Sequence, residues 1–215
     1  MKGKSSKSMY YIIGIIGFII LIAIIWRFSS RRHSLPCPVW LRWMVELDNP
    51  FTRINRAAVI IENAELQPGM KVLDAGCGPG RVTIPAARTV GEEGEVTAMD
   101  IQSGMLDRVK EKAAAEKLDN IRYINAGVGD GKLEKDYFDL VFLVTVLGEI
   151  PEQEKAFDEI YDVLKSDGTL SITEIIFDPH FQRQKTVEQL AASAGFQKKD
   201  IHGSRMAYTI NLRKL

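Results

Sequence analysis

The sequence predicts an α/β protein: a three-layer sandwich built on a mostly parallel sheet, preceded by a single transmembrane helix. Three observations carry that prediction. From about residue 51 onward, short apolar runs alternate with stretches whose apolar residues recur at helical spacing. Val72-Leu73 leads into glycines at alternate positions, Gly76, Gly78 and Gly80, and then into a helix-like stretch from Arg81 to Val90. Residues 10–28 form a separate apolar run in which Arg27 is the one charge.

Residues 1–9 are a short polar tail. At about 1.5 Å per residue, the run 10–28 spans roughly the 30 Å hydrocarbon layer. Tyr10, Tyr11 and Trp26 sit at its ends, where amphipathic rings favour the interface. A cleaved signal peptide is the competing reading. The run is long for one, and Phe28-Ser29-Ser30-Arg31-Arg32 offers no small-x-small cleavage site. Residues 29–50 form a linker. Pro36 and Pro38 make it stiff, and Trp40, Trp43, Met44 and Leu47 share one helix face until Asp48-Asn49-Pro50 breaks the pattern. That face either lies in the membrane interface or caps a cleft in the following domain, residues 51–215.

Within that domain Phe51, Ile54, Ala58 and Ile61 continue at helical spacing to about Ala64, and Gln67-Pro68-Gly69-Met70 turns into the first strand. Glu95 to Asp100 is the second strand. Ser103 can cap the next helix, whose buried face is Met105, Val109 and Ala113. Ile121 to Ile124 is a third strand. Phe138 to Val144 is nearly uniformly apolar, as a central parallel strand should be. Pro151 starts a helix with Phe157, Ile160, Tyr161 and Leu164 on one face. Asp167-Gly168 turns into a strand from Thr169 to Ile175. Val187, Leu190, Ala191 and Ala194 mark the last helix, closed by Gly195. Two strands, near Phe196–His202 and Met206–Leu212, flank Gly203.

Basic and acidic residues balance at 28 each, so nothing global points to nucleic acid. Of the two cysteines, Cys77 sits inside the glycine loop, where a disulfide would obstruct the site; a reduced compartment is the expectation.

The glycine loop sets the chemistry. Glycine lets backbone turn sharply and lie against a ligand, and the first N–H groups of the following helix favour a polar group there. A dinucleotide loop wants G-x-G-x-x-G, but its third glycine would fall at Arg81. The pattern present is Asp74 followed by G-x-G-x-G, with a second acid, Asp100, ending the next strand. A glycine turn in an unrelated α/β domain is the plain alternative; Asp74, Asp100 and the strand–helix alternation weigh against it. Together they resemble motif I and the ribose-binding acid of the class I S-adenosylmethionine (SAM)-dependent methyltransferases. Phe138-Asp139-Leu140-Val141 is similar to that family's F-D-x-V strand, and Leu164-Lys165-Ser166-Asp167-Gly168-Thr169-Leu170 to its L-K-P-G-G-x-L turn.

The resemblance implies a Rossmann-like, seven-stranded sheet with an antiparallel C-terminal strand, and SAM as cofactor. It implies cofactor contacts from Asp74, Gly76, Cys77, Gly78 and Gly80, from Asp100 to the ribose, and from Ile101 and Gln102 along the adenosine. Gly127, Val128 and Thr145 complete the set. The family often has an acid where Gly127 stands, so adenine is read there by backbone groups or by Asp130. Because SAM is a cytosolic metabolite, the domain is expected on the cytoplasmic side; the lysines and arginines flanking the span nearly tie.

Methyl transfer needs alignment above all, but an oxygen or thiol nucleophile must also lose a proton. Residues at the ends of the fourth and fifth strands are candidates: Thr145, Leu147, Gly148 and Glu149 after the fourth, Glu174, Asp178, Pro179, His180 and Phe181 after the fifth, with Glu149, Asp178 and His180 the catalytic candidates. Asp178-Pro179 also reads as an ordinary turn and His180 as a loop residue. No histidine has metal-ligand spacing, and no metal is expected. The function expected is a membrane-anchored SAM-dependent methyltransferase acting on a small, lipophilic or lipid acceptor. The alternatives are a non-catalytic SAM-binding or scaffold protein on the same fold and another nucleotide enzyme, which Arg81 disfavours.

Overall fold

The computed structural model describes residues 52–215, together with Tyr10, Tyr11, Gly14, Gly17 and Phe18, which are helical. The remainder of the expected anchor, the Pro36/Pro38 linker, the Trp40–Leu47 stripe and Phe51 lie outside the described residues. Among the described residues no helix is long and apolar enough to cross a membrane.

The strands are β1 (Lys71–Ala75), β2 (Glu95–Asp100), β3 (Ile121–Asn125), β4 (Phe138–Val144), β5 (Leu164–Ile175), β6 (Gln197–Ser204) and β7 (Ala207–Arg213). They form one sheet in the order β3-β2-β1-β4-β5-β7-β6, with β7 antiparallel to both its neighbours. The helices are α1 (Ala57–Asn63), α2 (Thr83–Val90), α3 (Ser103–Glu116), α4 (Gln153–Val163) and α5 (Gln184–Ser193). Strand order reverses between β1 and β4, and α/β sheets bind ligands outside the carboxyl ends of their strands at such a point.

The apolar strands alternate between two buried layers. Val72, Leu140 and Phe142 face α1 and α2, with Ile60, Ala86 and Val90. Leu73, Val141 and Leu143 face the other layer, with Phe157, Ile160, Val187 and Ala191 of α4 and α5. Burial on both sides is why β4 reads as an unbroken apolar run.

Several local expectations are corrected. The stretch before β1 is not one helix: a 3₁₀ turn at Arg53–Asn55 ends at Arg56, whose ψ of 136° is extended. The break shifts the buried face to Ala57, Ile60 and Ala64, leaving Ala58 exposed and Ile54 and Ile61 half-buried. Ser103 is the first residue of α3 rather than its cap; Gln102 holds the cap position. Helix α2 begins at Thr83, after Arg81 has turned away toward Asn55. Pro151 precedes α4 by two residues, and Leu164 already belongs to β5. That strand runs through Asp167-Gly168 as a bulge, because the pairing jumps from Phe138↔Leu164 to Leu140↔Thr169. Gly203 lies within β6, where its positive φ and the closeness of the Ala207 carbonyl exclude a side chain.

Asp139, the acid of the F-D-x-V strand, is structural. It accepts from the Lys71 backbone N–H at 2.8 Å and from Lys165 Nζ at 2.7 Å, tying the start of β1 to β4 and to the β5 bulge. Asp139→Ala should therefore cost about 1–2 kcal/mol in urea denaturation, mostly from the orphaned Lys71 N–H, and leave cofactor affinity unchanged by calorimetry.

Candidate active site

The first half of the site is the loop after β1. The Gly76 and Cys77 N–H groups donate to the Met99 carbonyl at 2.8 and 3.0 Å, folding the loop over the end of β2. The Asp100 carboxylate then receives the Gly78 N–H at 2.9 Å and the Gln102 N–H at 2.8 Å, one on each oxygen. Burial raises its pKa, and those two donors oppose the rise. Each oxygen keeps a second acceptor direction. Asn125 Nδ2 bonds the Asp100 carbonyl and fixes the strand end.

The three glycines have different reasons to be glycine. A Cβ on Gly76 would lie 2.6 Å from the Val146 methyls, and one on Gly80 3.1 Å from Val109. Those two positions serve close packing. Gly78 has a φ of 51° and open space where a Cβ would project. It is the one that faces a cradle.

Asp74 lies beneath the loop, accepting from Thr83 Oγ1 at 2.6 Å and so bracing the start of α2. Burial pushes its pKa up to about 6. The Cys77 thiol is packed with Ile84, Ala98, Leu106 and Val109, and burial raises its pKa well above the usual range. The loop cysteine therefore offers backbone alone. Ile101 is exposed at the rim. A Cβ on Gly127 would lie 3.4 Å from both Ile101 Cγ2 and Asp130 Oδ2. Asp130 folds back to accept the Gly127 N–H at 2.8 Å. Val128 packs on the main core instead.

The second half lies beyond β4 and β5. Thr145 follows β4 with a φ of 55°, strained for a β-branched residue. Its N–H bonds the Thr173 carbonyl at 2.8 Å and its hydroxyl the Val144 carbonyl at 2.7 Å, which hold it there. The 3₁₀ turn Leu147–Glu149 follows. A Cβ on Gly148 would collide with the His180 carbonyl, so this glycine lets the turn lie directly on the 178–182 loop.

The structure brings Glu149, Asp178 and His180 together. His180 Nδ1 is 3.6 Å from Glu149 Oε1 and 3.8 Å from Asp178 Oδ1. The ring is buried, and both its nitrogens lack a hydrogen-bond partner. Asp178 and His180 are not joined as a hydrogen-bonded dyad; Asp178 Oδ1 accepts the His180 backbone N–H at 2.6 Å.

The structure gives Glu174, a candidate from its place at the end of the fifth strand, a supporting position. It is 1% exposed, and its Oε2 accepts the Gln182 N–H at 2.9 Å. Gln182 in turn bonds the His180 carbonyl through its amide and receives the Tyr208 hydroxyl on its own carbonyl. Glu174 thus anchors the loop that carries His180. Burial, with Asp178 nearby, pushes Glu149 and Glu174 each up to about 8. Among the described residues no group of three or more His, Cys, Asp or Glu side chains is arranged to hold a metal ion.

Residues 66–208, about two thirds of the chain, match the methyltransferase domain family. The chain belongs to that family.

Its methyltransferase domain resembles curated proteins named ubiquinone/menaquinone biosynthesis C-methyltransferase UbiE. The protein of Vibrio vulnificus (strain YJ016) is 32% identical over 123 residues, covering 55% of this chain and 47% of that protein. That of Shewanella pealeana is 33% identical over 121 residues, 56% of this chain and 48% of that protein. The chain thus spans about half the length of these relatives. Among solved structures, a SAM-dependent methyltransferase from Aquifex aeolicus superposes with a TM-score of 0.74 at 20% identity, over 84% of this chain and all of that one. Phosphoethanolamine N-methyltransferase 2 of Haemonchus contortus, in complex with SAM, gives 0.62 at 22% identity, over 76% of this chain and 42% of that one. These likenesses establish the fold.

The residues present fit SAM. The open space over Gly78 accepts a ligand, the free acceptor directions of Asp100 suit the two ribose hydroxyls, and Ile101 with the Gly127 backbone offers a surface for the adenine. Asp74 and Gly80 shape the loop from behind.

Two outcomes follow. Gly78→Val should fill the cradle and abolish SAM binding by calorimetry, at a folding cost of about 1–2 kcal/mol for the left-handed backbone. A carboxyl whose pKa is higher folded than unfolded binds its proton more tightly when folded. Stability contributed by Glu149 and Glu174 is therefore present below the ordinary glutamate value of 4.5 and lost as pH rises toward 8. Glu174→Gln keeps an oxygen for the Gln182 N–H and removes one ionisation. Its Tm should match the wild type near pH 5 and exceed it above about pH 8, by about 2–4 °C for each kcal/mol relieved.

Proposed function

We propose that this protein is a membrane-anchored methyltransferase that transfers a methyl group from SAM to a lipophilic, ring-containing small molecule. The observation that carries the proposal is the pairing of two half-sites across the strand-order reversal. The Gly78–Asp100 cradle suits the cofactor, and His180 stands beside Glu149 at the neighbouring strand ends, on the acceptor side.

SAM supplies an electrophilic methyl group. The chain's own residues supply the rest. Asp100 and the Gly78 backbone hold the donor in a fixed orientation, which is the larger part of such catalysis. Glu149, at about 8, is mostly protonated at neutral pH and is a poor base there. His180, with two unpartnered ring nitrogens, is the residue that takes a proton from the acceptor. A hydroxylated ring that loses its proton pushes electron density onto adjacent carbon, which makes carbon as well as oxygen a competent nucleophile. The C-methyltransferase names of the sequence relatives favour carbon, and the quinone rings in those names favour a lipophilic acceptor. Residues 10–28 hold the protein in the bilayer, with the domain on the cytoplasmic side, where SAM is found.

Full-length protein given labelled SAM and a lipid extract of its own membranes should release a labelled, organic-extractable product. His180→Ala should lower that turnover by about 10²–10⁴-fold and leave SAM affinity unchanged. Tight SAM binding with no label transferred would instead make the protein a non-catalytic binder. Alkaline carbonate should leave the chain in the membrane pellet; its complete release would remove the anchor.

A further inference from the structure

The domain's exposed large apolar side chains are unevenly placed. Ile101, Ile176, Phe177, Ile201, Met206 and Leu215 are the large hydrophobics exposed in residues 52–215. Ile101, Ile176, Phe177 and Met206 lie at the carboxyl ends of β2 and β5 and at the β6–β7 turn, on the edge that carries the site. Of these four, Phe177 and Met206 are the barest, at 68% and 60%. Ile176 and Met206 are joined by a backbone hydrogen bond of 2.8 Å, so the patch is one surface built from two segments. Arg205 is exposed beside it. Phe177 immediately precedes Asp178, and His180 is three residues on.

The described chain also begins at this edge. The Arg53–Asn55 turn packs on β5 and β7, and Asn55 accepts hydrogen bonds from Arg81 at the end of the glycine loop. Residues 29–51 link the apolar run 10–28 to Thr52, at this edge. Fully extended they reach at most about 80 Å. A domain of this size is about 40 Å across. The tether thus holds the domain near a bilayer without choosing which face meets it. The apolar patch makes the choice, since it gains by leaving water, and Arg205 beside it favours anionic headgroups.

We propose that Ile176, Phe177 and Met206 form a membrane-facing rim that seats the mouth of the cleft on the bilayer interface. An acceptor dissolved in lipid then reaches His180 without crossing water. The rim rests on the anchoring of residues 10–28 proposed above.

The test places the photo-crosslinker p-benzoylphenylalanine at Phe177 of the full chain, and separately at Glu92, which is exposed on the opposite edge. Each protein is reconstituted into vesicles of phosphatidylcholine and phosphatidylglycerol containing a radiolabelled phosphatidylcholine. Illumination should give roughly tenfold more lipid adduct at 177 than at 92, because only a rim within about 5–10 Å of the acyl boundary meets lipid. Floating vesicles with equal adduct at the two positions would overturn the rim and leave the anchor standing. Adducts joining position 177 to residues 39–47 would also overturn it, by making that segment the occupant. Protein that fails to float with the vesicles would remove the anchor and the rim together.

Discussion

The site depends on one carboxylate. Asp100 ends β2 and takes the Gly78 N–H on one oxygen and the Gln102 N–H on the other. The first bond fastens the glycine loop of β1 to its neighbouring strand. The second sets the approach of α3. A buried carboxylate without donors would cost several kcal/mol, so the two N–H groups make its burial tolerable as well as its position fixed. The loop's other restraints act in the same direction. Gly76 and Cys77 bond the Met99 carbonyl, and Asp74 braces Thr83 from below.

The acceptor side is held by a different means. Glu174 is buried at the end of β5 and grips the backbone of Gln182, whose amide and carbonyl tie His180 and Tyr208 into the same knot. Gly148 lets the Leu147–Glu149 turn settle on that loop. Glu149, Glu174 and Asp178 are crowded together, and burial with mutual repulsion drives the two glutamates toward their neutral forms. His180 is buried in this group, with neither ring nitrogen hydrogen-bonded. Such crowding of acids around an unsatisfied imidazole weakens folding.

The two halves differ in how they meet solvent. The cofactor half is lined by backbone and a carboxylate. Beyond β4 and β5, Ile176, Phe177 and Met206 leave apolar surface bare at the same edge.

The sequence by itself determined the sheet and the cofactor loop. Seven strands, their mostly parallel direction and the Asp74, Gly76-x-Gly78-x-Gly80 and Asp100 pattern are local signals, set by apolar periodicity and by glycine's backbone freedom. What the tertiary structure decided was each residue's reason. Periodicity cannot tell that Gly76 and Gly80 yield to Val146 and Val109 while Gly78 faces open space, because those neighbours come from distant strands and helices. It placed the buried face of α1 one residue off, since the extended backbone at Arg56 interrupts the helical count. It named Asp139 as a motif acid, whereas Asp139 proves to be a clasp for the Lys71 N–H and Lys165. It placed Glu174 among the candidates after the fifth strand but could not show its hold on Gln182, which exists only where the ends of β5, β7 and the 178–182 loop converge. Burial, charge proximity and satisfied or open hydrogen bonds are properties of the assembled edge, and no stretch of chain carries them alone.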